Sequence, residues 1–329
     1  MGPTKQERKM CKRFHVPSVF RAAFAEFLGT YILVVIGNGS IAQSQLTKGE
    51  KGDYFTINWG WALGCSLGML VSANISGAHL NPAVTMALSL VRRFPWKRLP
   101  VYWCAQYMGA LAASGTVLGI YHEGILEGKV NGKFRIEKNI TEPGMASIFA
   151  NYPAHYSSAS IGLIEEILST MIFTLVICVV TDKRYSNVPN FLQPLYVGFT
   201  LLAIGVAYGS NGGYALNPAR DLAPRLVSFL GGWGLGVFSF RDYNWFWIFL
   251  VGPHVGAILG VCIFHLILKN GSTDISERVS SIDVSMINPR LWHHFPNRGL
   301  EVEPSEERES HNSHEENHKS TDYNIGMTL

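Results

Sequence analysis

Long apolar runs fill the middle of this chain, and polar stretches lie at both ends. Six of the runs are about 20 residues long, which is enough to cross the hydrocarbon core of a bilayer as helices. They cover residues 18–42, 54–76, 99–122, 159–182, 190–210 and 245–268. Two further apolar runs, 81–91 and 217–230, are too short to cross. The pattern predicts an all-α membrane protein with six transmembrane helices and two shorter helical segments.

The two short runs open with the same tripeptide, Asn-Pro-Ala, and its two copies stand 136 residues apart. Asn is a good helix N-cap, and Pro fits the first helical turn because its missing N–H has no partner there. A helix that enters a membrane without crossing it leaves irregular backbone at membrane depth, which is tolerated where it lines a cavity. We therefore expect two re-entrant half-helices beside a path through the membrane. The triplets are Asn81, Pro82, Ala83 and Asn217, Pro218, Ala219.

The chain also contains an internal repeat that pairs these triplets. Residues 25–30 (AEFLGT) open the first half and residues 165–170 (EEILST) open the second. Glu26 precedes Asn81 by 55 residues, and Glu166 precedes Asn217 by 51. Each half, about 17–122 and about 159–269, holds three crossings, and because three is odd the second copy is inverted. An inverted repeat makes the two half-helices enter from opposite sides and point at each other.

Charge is concentrated outside the apolar runs. Only 16% of residues are charged, against about 25% in soluble domains, and the net charge of +3 is too small to indicate a nucleic-acid partner. Basic residues follow the positive-inside rule if both termini are cytoplasmic, with a basic tail at 1–16 and a polar, disordered tail at 270–329. We expect a multi-pass protein of the plasma membrane, in which the sequon at Asn139 lies outside and is glycosylated.

No feature of the sequence indicates catalysis or a cofactor. The five cysteines form no C-x-x-C pair, and the four that lie in apolar runs are expected to be small buried side chains. No His, Cys and acidic cluster has metal-ligand spacing, and no nucleophile stands beside a base. We therefore predict no enzyme activity, no cofactor and no metal.

The strings SGAHLNPAVT and GYALNPARD, together with the repeat, resemble the aquaporin (major intrinsic protein) family over residues 20–268. Asp221 and Arg225 after the second triplet, and residues 147–150, resemble the aquaglyceroporin branch. The resemblance implies a passive channel that conducts glycerol, water and other small neutral solutes and excludes ions and protons. It also implies a homotetramer in the lipid bilayer.

The paired triplets carry a physical argument for that exclusion. Each Asn caps a half-helix, and we expect its side-chain amide N–H to be free to point into the cavity. Both half-helices then present their positive ends at the midplane, so a cation or a hopping proton is repelled while a neutral solute accepts a hydrogen bond.

The resemblance places a narrow constriction at Trp61, Gly205, Tyr214 and Arg220. Arg220 supplies fixed donors and a positive charge, and Trp61 with Tyr214 forms an apolar corner for a carbon backbone. Gly205 widens the pore by its missing side chain and argues against a water-selective channel. Other interpretations remain open: an aromatic belt for Trp61 and Tyr214, tight helix packing for Gly205, and an Arg220 that reaches the membrane interface.

Four further residues are candidates for lining the pore or supporting its loops: His79, Glu26, Glu166 and Asp221. His79 precedes Asn81 by two residues, and a buried structural His is the alternative. We interpret Glu26 and Glu166 as acceptors for backbone N–H groups of the loop before each half-helix. The alternative, a proton relay in an ion-coupled transporter, would use the same two carboxylates.

Overall fold

A computed structural model describes residues 17–127 and 144–269, and these residues form helices and loops without a strand. The six predicted crossings are present, with shorter boundaries in the second half: the fifth begins at Gln193 and the sixth at Ile248. The α-helices in chain order are α1 (Ser18–Leu46), α2 (Tyr54–Ser76), α3 (Pro82–Leu90), α4 (Leu99–Ile120), α5 (His122–Glu127), α6 (Ala159–Thr181), α7 (Gln193–Ala207), α8 (Pro218–Ser228), α9 (Gly236–Ser239) and α10 (Ile248–Ile263).

Hydropathy and length alone select three membrane-crossing stretches among the described residues: Ser18–Leu46, Ala159–Thr181 and Ile248–Lys269, the last of which continues α10 through a π-helical turn. Helices α2 and α4 have the required length but bury polar side chains, among them Asn58 and Gln106, which lower their hydropathy. Polar groups in the interior of a helix bundle are tolerated when they are hydrogen-bonded to neighbours or line a cavity.

Helices α3 and α8 are the two half-helices, and each begins at the proline of its triplet. Asn81 Oδ1 accepts hydrogen bonds from the backbone N–H of Ala83 at 2.9 Å and Val84 at 3.4 Å. Asn217 Oδ1 accepts in the same way from Ala219 at 3.0 Å and from Arg220 at 3.3 Å. The capping role predicted from Asn-Pro is therefore present at both positions.

The long helices approach one another closely at small residues, and the two halves do this in the same way. In the first half, a Cβ at Gly29 of α1 would lie 3.0 Å from the carbonyl oxygen of Gly68 in α2. In the second half, a Cβ at Gly256 of α10 would meet the carbonyl oxygen of Ile167 in α6. Backbones packed this closely bring the loops before α3 and α8 toward the centre of the molecule.

Some sequence-based expectations fall outside the described residues. These are the basic tail at 1–16, the glycosylation site at Asn139 and the polar tail at 270–329. The expectation that the four cysteines are buried is wrong in part: Cys65 and Cys178 are buried, but Cys262 is only partly buried and Cys104 is exposed. A cysteine in an apolar helix is buried only if its side faces other helices.

Candidate functional site

A cavity of about 210 Å³ lies where the two half-helices meet, and its lining extends from Arg93, just beyond α3, to Arg220 in the first turn of α8. One wall is formed by the loops that precede the half-helices, residues 77–81 and 214–217. Another wall is formed by apolar side chains of four long helices: Leu33, Cys65, Met69, Phe173, Ile177, Val197 and Leu201. The volume is many times the roughly 10–15 Å³ that one water needs.

Both capping asparagines line this cavity, and each donates a hydrogen bond to the loop that precedes the other half-helix. Asn81 Nδ2 donates to the carbonyl oxygen of Leu216 at 2.7 Å, and Asn217 Nδ2 donates to the carbonyl oxygen of Leu80 at 2.7 Å. The expectation that both amide N–H groups are free is therefore corrected, because each Asn uses one for the opposite loop and keeps one. Leu80 and Leu216 have φ of 52° and 58°, a left-handed conformation that is unfavourable for Leu and needs such support.

A buried carboxylate supports each loop from behind. Glu26 Oε1 accepts from the backbone N–H of His79 at 2.9 Å, and Oε2 accepts from that of Leu80 at 2.7 Å. Glu166 accepts from the N–H of Ala215 at 3.1 Å and from that of Leu216. These are the contacts that the sequence argument expected of an acceptor, and each carboxylate stands in the same relation to its half-helix.

Gln106 of α4 completes the first of these carboxylate sites and was not singled out from the sequence. Its Nε2 donates to Glu26 Oε2 at 2.8 Å and to Thr85 Oγ1 at 2.9 Å, so it connects α1, α3 and α4. Gln106 is fully buried. A polar residue inside an otherwise apolar run was the available signal.

Trp61 and Arg220 form one corner of the cavity. The Arg220 guanidinium lies over the Trp61 ring, with Cζ 4.2 Å from the ring centroid. The ring fits against α1 because position 37 is glycine, where a Cβ would overlap the indole. A cation over the face of an indole is attracted by the ring quadrupole, so the two side chains fix each other's position.

A second network, made of hydrogen bonds, also holds Arg220. Arg220 Nη1 donates to Asn151 Oδ1 at 2.8 Å. The backbone N–H of Asn151 donates to Asp221 Oδ2 at 2.8 Å, and its carbonyl accepts from Arg225 Nη2 at 2.7 Å. Asp221 and Arg225 form a 2.9 Å ion pair whose side chains are each 1% exposed. Asp221 therefore supports the loop that positions Arg220 and does not itself line the cavity.

Tyr214 lines the cavity, whereas Gly205 stands behind it. A Cβ at Gly205 would lie 2.5 Å from Tyr214 Cζ. The Tyr214 hydroxyl donates to Asn58 Oδ1, a residue of α2 that sequence reasoning missed. The four predicted constriction residues are thus near one another, but Gly205 acts on the cavity by way of Tyr214.

His79 lines the cavity toward its other end. Its Nδ1 is 3.2 Å from Thr85 Oγ1, and its ring packs against Phe94, with centroids 4.8 Å apart. Beyond it, Arg93 pairs with Asp182, which also accepts from Lys269 Nζ at 3.0 Å. The hydrogen bonds to Asp182 join the segment after α3 to the end of α6 and the end of the described chain.

In the described part of the chain, six packed long helices and two capped half-helices that meet around a cavity define a helical membrane channel. The model of the Major intrinsic protein family matches residues 13–264, so this chain belongs to that family. It is 40% identical over 275 residues to Aquaporin-10 of Milnesium tardigradum, covering 80% of this chain and 66% of that protein. It is 39% identical over 252 residues to human Aquaporin-9, covering 77% of this chain and 84% of the relative.

A solved structure shows the same fold. The X-ray structure of the aquaglyceroporin from Plasmodium falciparum superposes with a TM-score of 0.69 at 34% sequence identity. The match covers 78% of this chain and 99% of that one. Family membership identifies the chain as an aquaglyceroporin-like membrane channel and not an enzyme.

Proposed function

We propose that this chain conducts glycerol and water, with other small neutral solutes, passively through the cavity between its half-helices. The observation that carries this proposal is the combination of an apolar wall with a polar one along a single cavity. A polyol has a carbon face and a hydroxyl face, so it can turn one to each wall. The relatives whose names refer to aquaporins and aquaglyceroporins support the same solute class.

The corner formed by Trp61, Tyr214 and Arg220 selects the solute in this proposal. The two rings meet the carbon backbone. The guanidinium of Arg220 directs one donor to Asn151, and its other N–H groups have no acceptor among the described protein residues. These groups donate to passing hydroxyl or water oxygens, and because they are already fixed in place, little ordering is needed when a solute arrives.

Cations are excluded by three positive features along the same path. The first two are the N-terminal ends of α3 and α8, which meet at the two asparagines. The third is the full positive charge of Arg220 on the same cavity. Each Asn offers its remaining N–H as a donor, which orients a water's oxygen toward the midplane. A water molecule whose oxygen accepts from both asparagine N–H groups cannot relay a proton through the midplane unless it first reorients.

Glu26 and Glu166 act as fixed supports in this mechanism, and they do not carry protons. Each carboxylate already accepts backbone N–H bonds, so a change in its protonation would break the loop that it holds. His79 lines the approach from the Arg93 end. Gly205 and Asp221 act indirectly, the first by leaving space for Tyr214 and the second by holding the Asn151 loop.

We further propose a homotetramer in the plasma membrane with both termini in the cytoplasm and a glycosylated Asn139. The distribution of Lys and Arg supports the orientation. Exposed apolar side chains on α2, among them Leu63, Leu67 and Leu70, offer surface to lipid or to another copy. The mass of the native protein in detergent tests the homotetramer. A loss of mass on enzymatic deglycosylation tests the glycosylation of Asn139.

Stopped-flow light scattering on proteoliposomes tests the conducted solutes. Vesicles are challenged with glycerol, urea and an impermeant sugar, so that water and solute permeabilities are measured on the same preparation. We expect fast water and glycerol flux that rises linearly with concentration and is unchanged when ion gradients are collapsed. Saturating or gradient-dependent glycerol flux would indicate an ion-coupled transporter, and water flux without glycerol flux would indicate a water-selective channel.

A further inference from the structure

The hydroxyl of Tyr214 is turned out of the cavity and into the helix bundle. The ring lines the cavity, but the hydroxyl donates to Asn58 Oδ1 in α2, one helical turn before Trp61. Asn58 is 1% exposed and Tyr214 is 5% exposed, so water does not compete for this bond. The two residues are 156 positions apart, and the bond joins α2 of the first half to the loop before α8 in the second.

Gly205 of α7 leaves the space in which this bond forms. A Cβ there would lie 2.5 Å from Tyr214 Cζ and 2.6 Å from Asn58 Oδ1. Both distances are below those that side chains adopt, so any other residue at 205 would displace the tyrosine or the asparagine. The volume left by the missing side chain is therefore occupied by the end of Tyr214 and does not belong to the cavity.

We propose that Asn58 is a positioning residue for solute selectivity: it retains the Tyr214 hydroxyl behind the cavity wall, so that solutes meet a bare aromatic ring. The inference rests on the proposed glycerol and water function. It adds a residue and a physical cause, because the apolar character of a tyrosine wall depends on where its hydroxyl is satisfied.

Removal of the Asn58 acceptor has a defined consequence. A buried hydroxyl without a partner is costly, so the Tyr214 side chain gains free energy by turning toward the water in the cavity. There the hydroxyl narrows the passage and replaces apolar surface with a polar group. Glycerol loses more than water does, because it is larger and uses the apolar surface for its carbon backbone.

A double-mutant cycle in proteoliposomes tests the inference, with the ratio of glycerol to water permeability as the readout. Asn58→Leu replaces the acceptor with an apolar side chain of similar size, and we expect the ratio to fall severalfold because the bond that retains the hydroxyl is lost. Tyr214→Phe removes the hydroxyl and provides the second background of the cycle, whatever its own ratio. The double variant should match Tyr214→Phe, since no hydroxyl remains to be displaced.

A purely structural role for Asn58 gives a different result. If Asn58→Leu lowers the ratio equally in the wild type and in the Tyr214→Phe background, or leaves it unchanged in both, the inference is wrong. Asn38→Leu is the matched control, because Asn38 is another fully buried Asn, which bonds Ser114 and not the tyrosine. Its ratio should not change.

Two further measurements keep the outcome interpretable. Asn58→Ser leaves a polar side chain that is too short to reach the hydroxyl. If the leucine variant does not fold, the cycle is repeated with Asn58→Ser, and the same fall in the ratio of glycerol to water permeability is expected. Wild-type vesicles that pass water but no glycerol would contradict the proposed function itself. Wild-type vesicles that pass both, with a ratio insensitive to Asn58, would contradict only this inference.

Discussion

The side-chain amide of Asn81 donates a 2.7 Å hydrogen bond to the backbone carbonyl of Leu216, 135 residues away in the other half of the chain. The reciprocal bond from Asn217 to Leu80 makes the contact symmetric. Each asparagine thus performs two structural tasks with different atoms: Oδ1 caps its own half-helix, and Nδ2 holds the opposite loop. One N–H of each amide remains for the permeating solute.

Asn81→Asp separates these tasks because the carboxylate keeps the capping oxygen and loses the donor. Two acceptor oxygens then face each other at Leu216, and we expect about 1–3 kcal/mol loss of stability. The added negative charge should also admit cations at the midplane. Thermal unfolding in detergent and a vesicle cation-leak assay measure the two effects. Asn190→Asp, the same exchange at an exposed site, should change neither stability nor cation leak. An Asn81→Asp variant that is as stable as the wild type and does not leak cations would contradict the two roles given to Asn81.

Arg220→Ala removes the full positive charge from the constriction. A monovalent cation about 4 Å from the guanidinium meets about 4 kcal/mol of repulsion at an effective dielectric constant of about 20. Cation permeability should therefore rise by up to about a thousandfold, while neutral solutes keep a path. Electrical recording across planar bilayers measures this, with Arg220→Lys as the control that keeps the charge. An Arg220→Ala channel that still excludes cations would show that the half-helix ends are sufficient for exclusion without Arg220.

Asp221→Ala leaves Arg225 as an unpaired charge in a site where both side chains are 1% exposed. We expect about 3–5 kcal/mol of destabilisation, together with a loosened Asn151 loop and weaker ion exclusion. Asp221→Leu combined with Arg225→Met removes both charges and should recover part of the stability. Asp53→Ala removes an exposed helix cap and should cost only about 1 kcal/mol. Thermal unfolding ranks the three variants, and a double variant less stable than Asp221→Ala would argue against an unpaired-charge penalty.

Gly205→Ala places a Cβ against Tyr214 and Asn58. The tyrosine must shift toward the cavity, so glycerol permeability should fall severalfold, and water permeability should fall less. Gly115→Ala is the control, since a Cβ at that exposed helical position meets no atom within 4 Å. Proteoliposome flux measurements with both solutes decide the outcome. An equal fall in glycerol and water would place the effect outside the constriction.

Glu166→Gln keeps the size of the side chain but turns an NH₂ group toward the backbone N–H donors of Ala215 or Leu216. We expect a stability loss of about 1–3 kcal/mol and a lower folded yield. Flux per folded channel should not respond to a pH gradient in either the wild type or the variant. Glu26→Gln is the symmetric comparison in the first half. A pH-driven flux that is present in the wild type and absent in Glu166→Gln would support a proton relay.

Local chemistry explains why much of the fold could be predicted. A cap bonds N–H groups two and three residues ahead, so Asn81 and Asn217 were recognisable from Asn-Pro alone. Helices α1, α6 and α10 were recognisable because hydropathy and length suffice for them. Helix α7 is shorter than its apolar run because that run continues past the helix C-cap at Tyr208 into the loop before α8.

The sequence by itself determined the inverted repeat and the two capped half-helices, because these depend on spacing along the chain and on contacts within a few residues. The charged constriction residue Arg220 followed from the family resemblance of its motif. Only the tertiary structure decided how they act on one another. Asn151 lies 69 residues before Arg220, and Asn58 lies 156 before Tyr214, so no motif links either pair. Their hydrogen bonds form because close helix packing brings buried polar atoms together where each must find a partner.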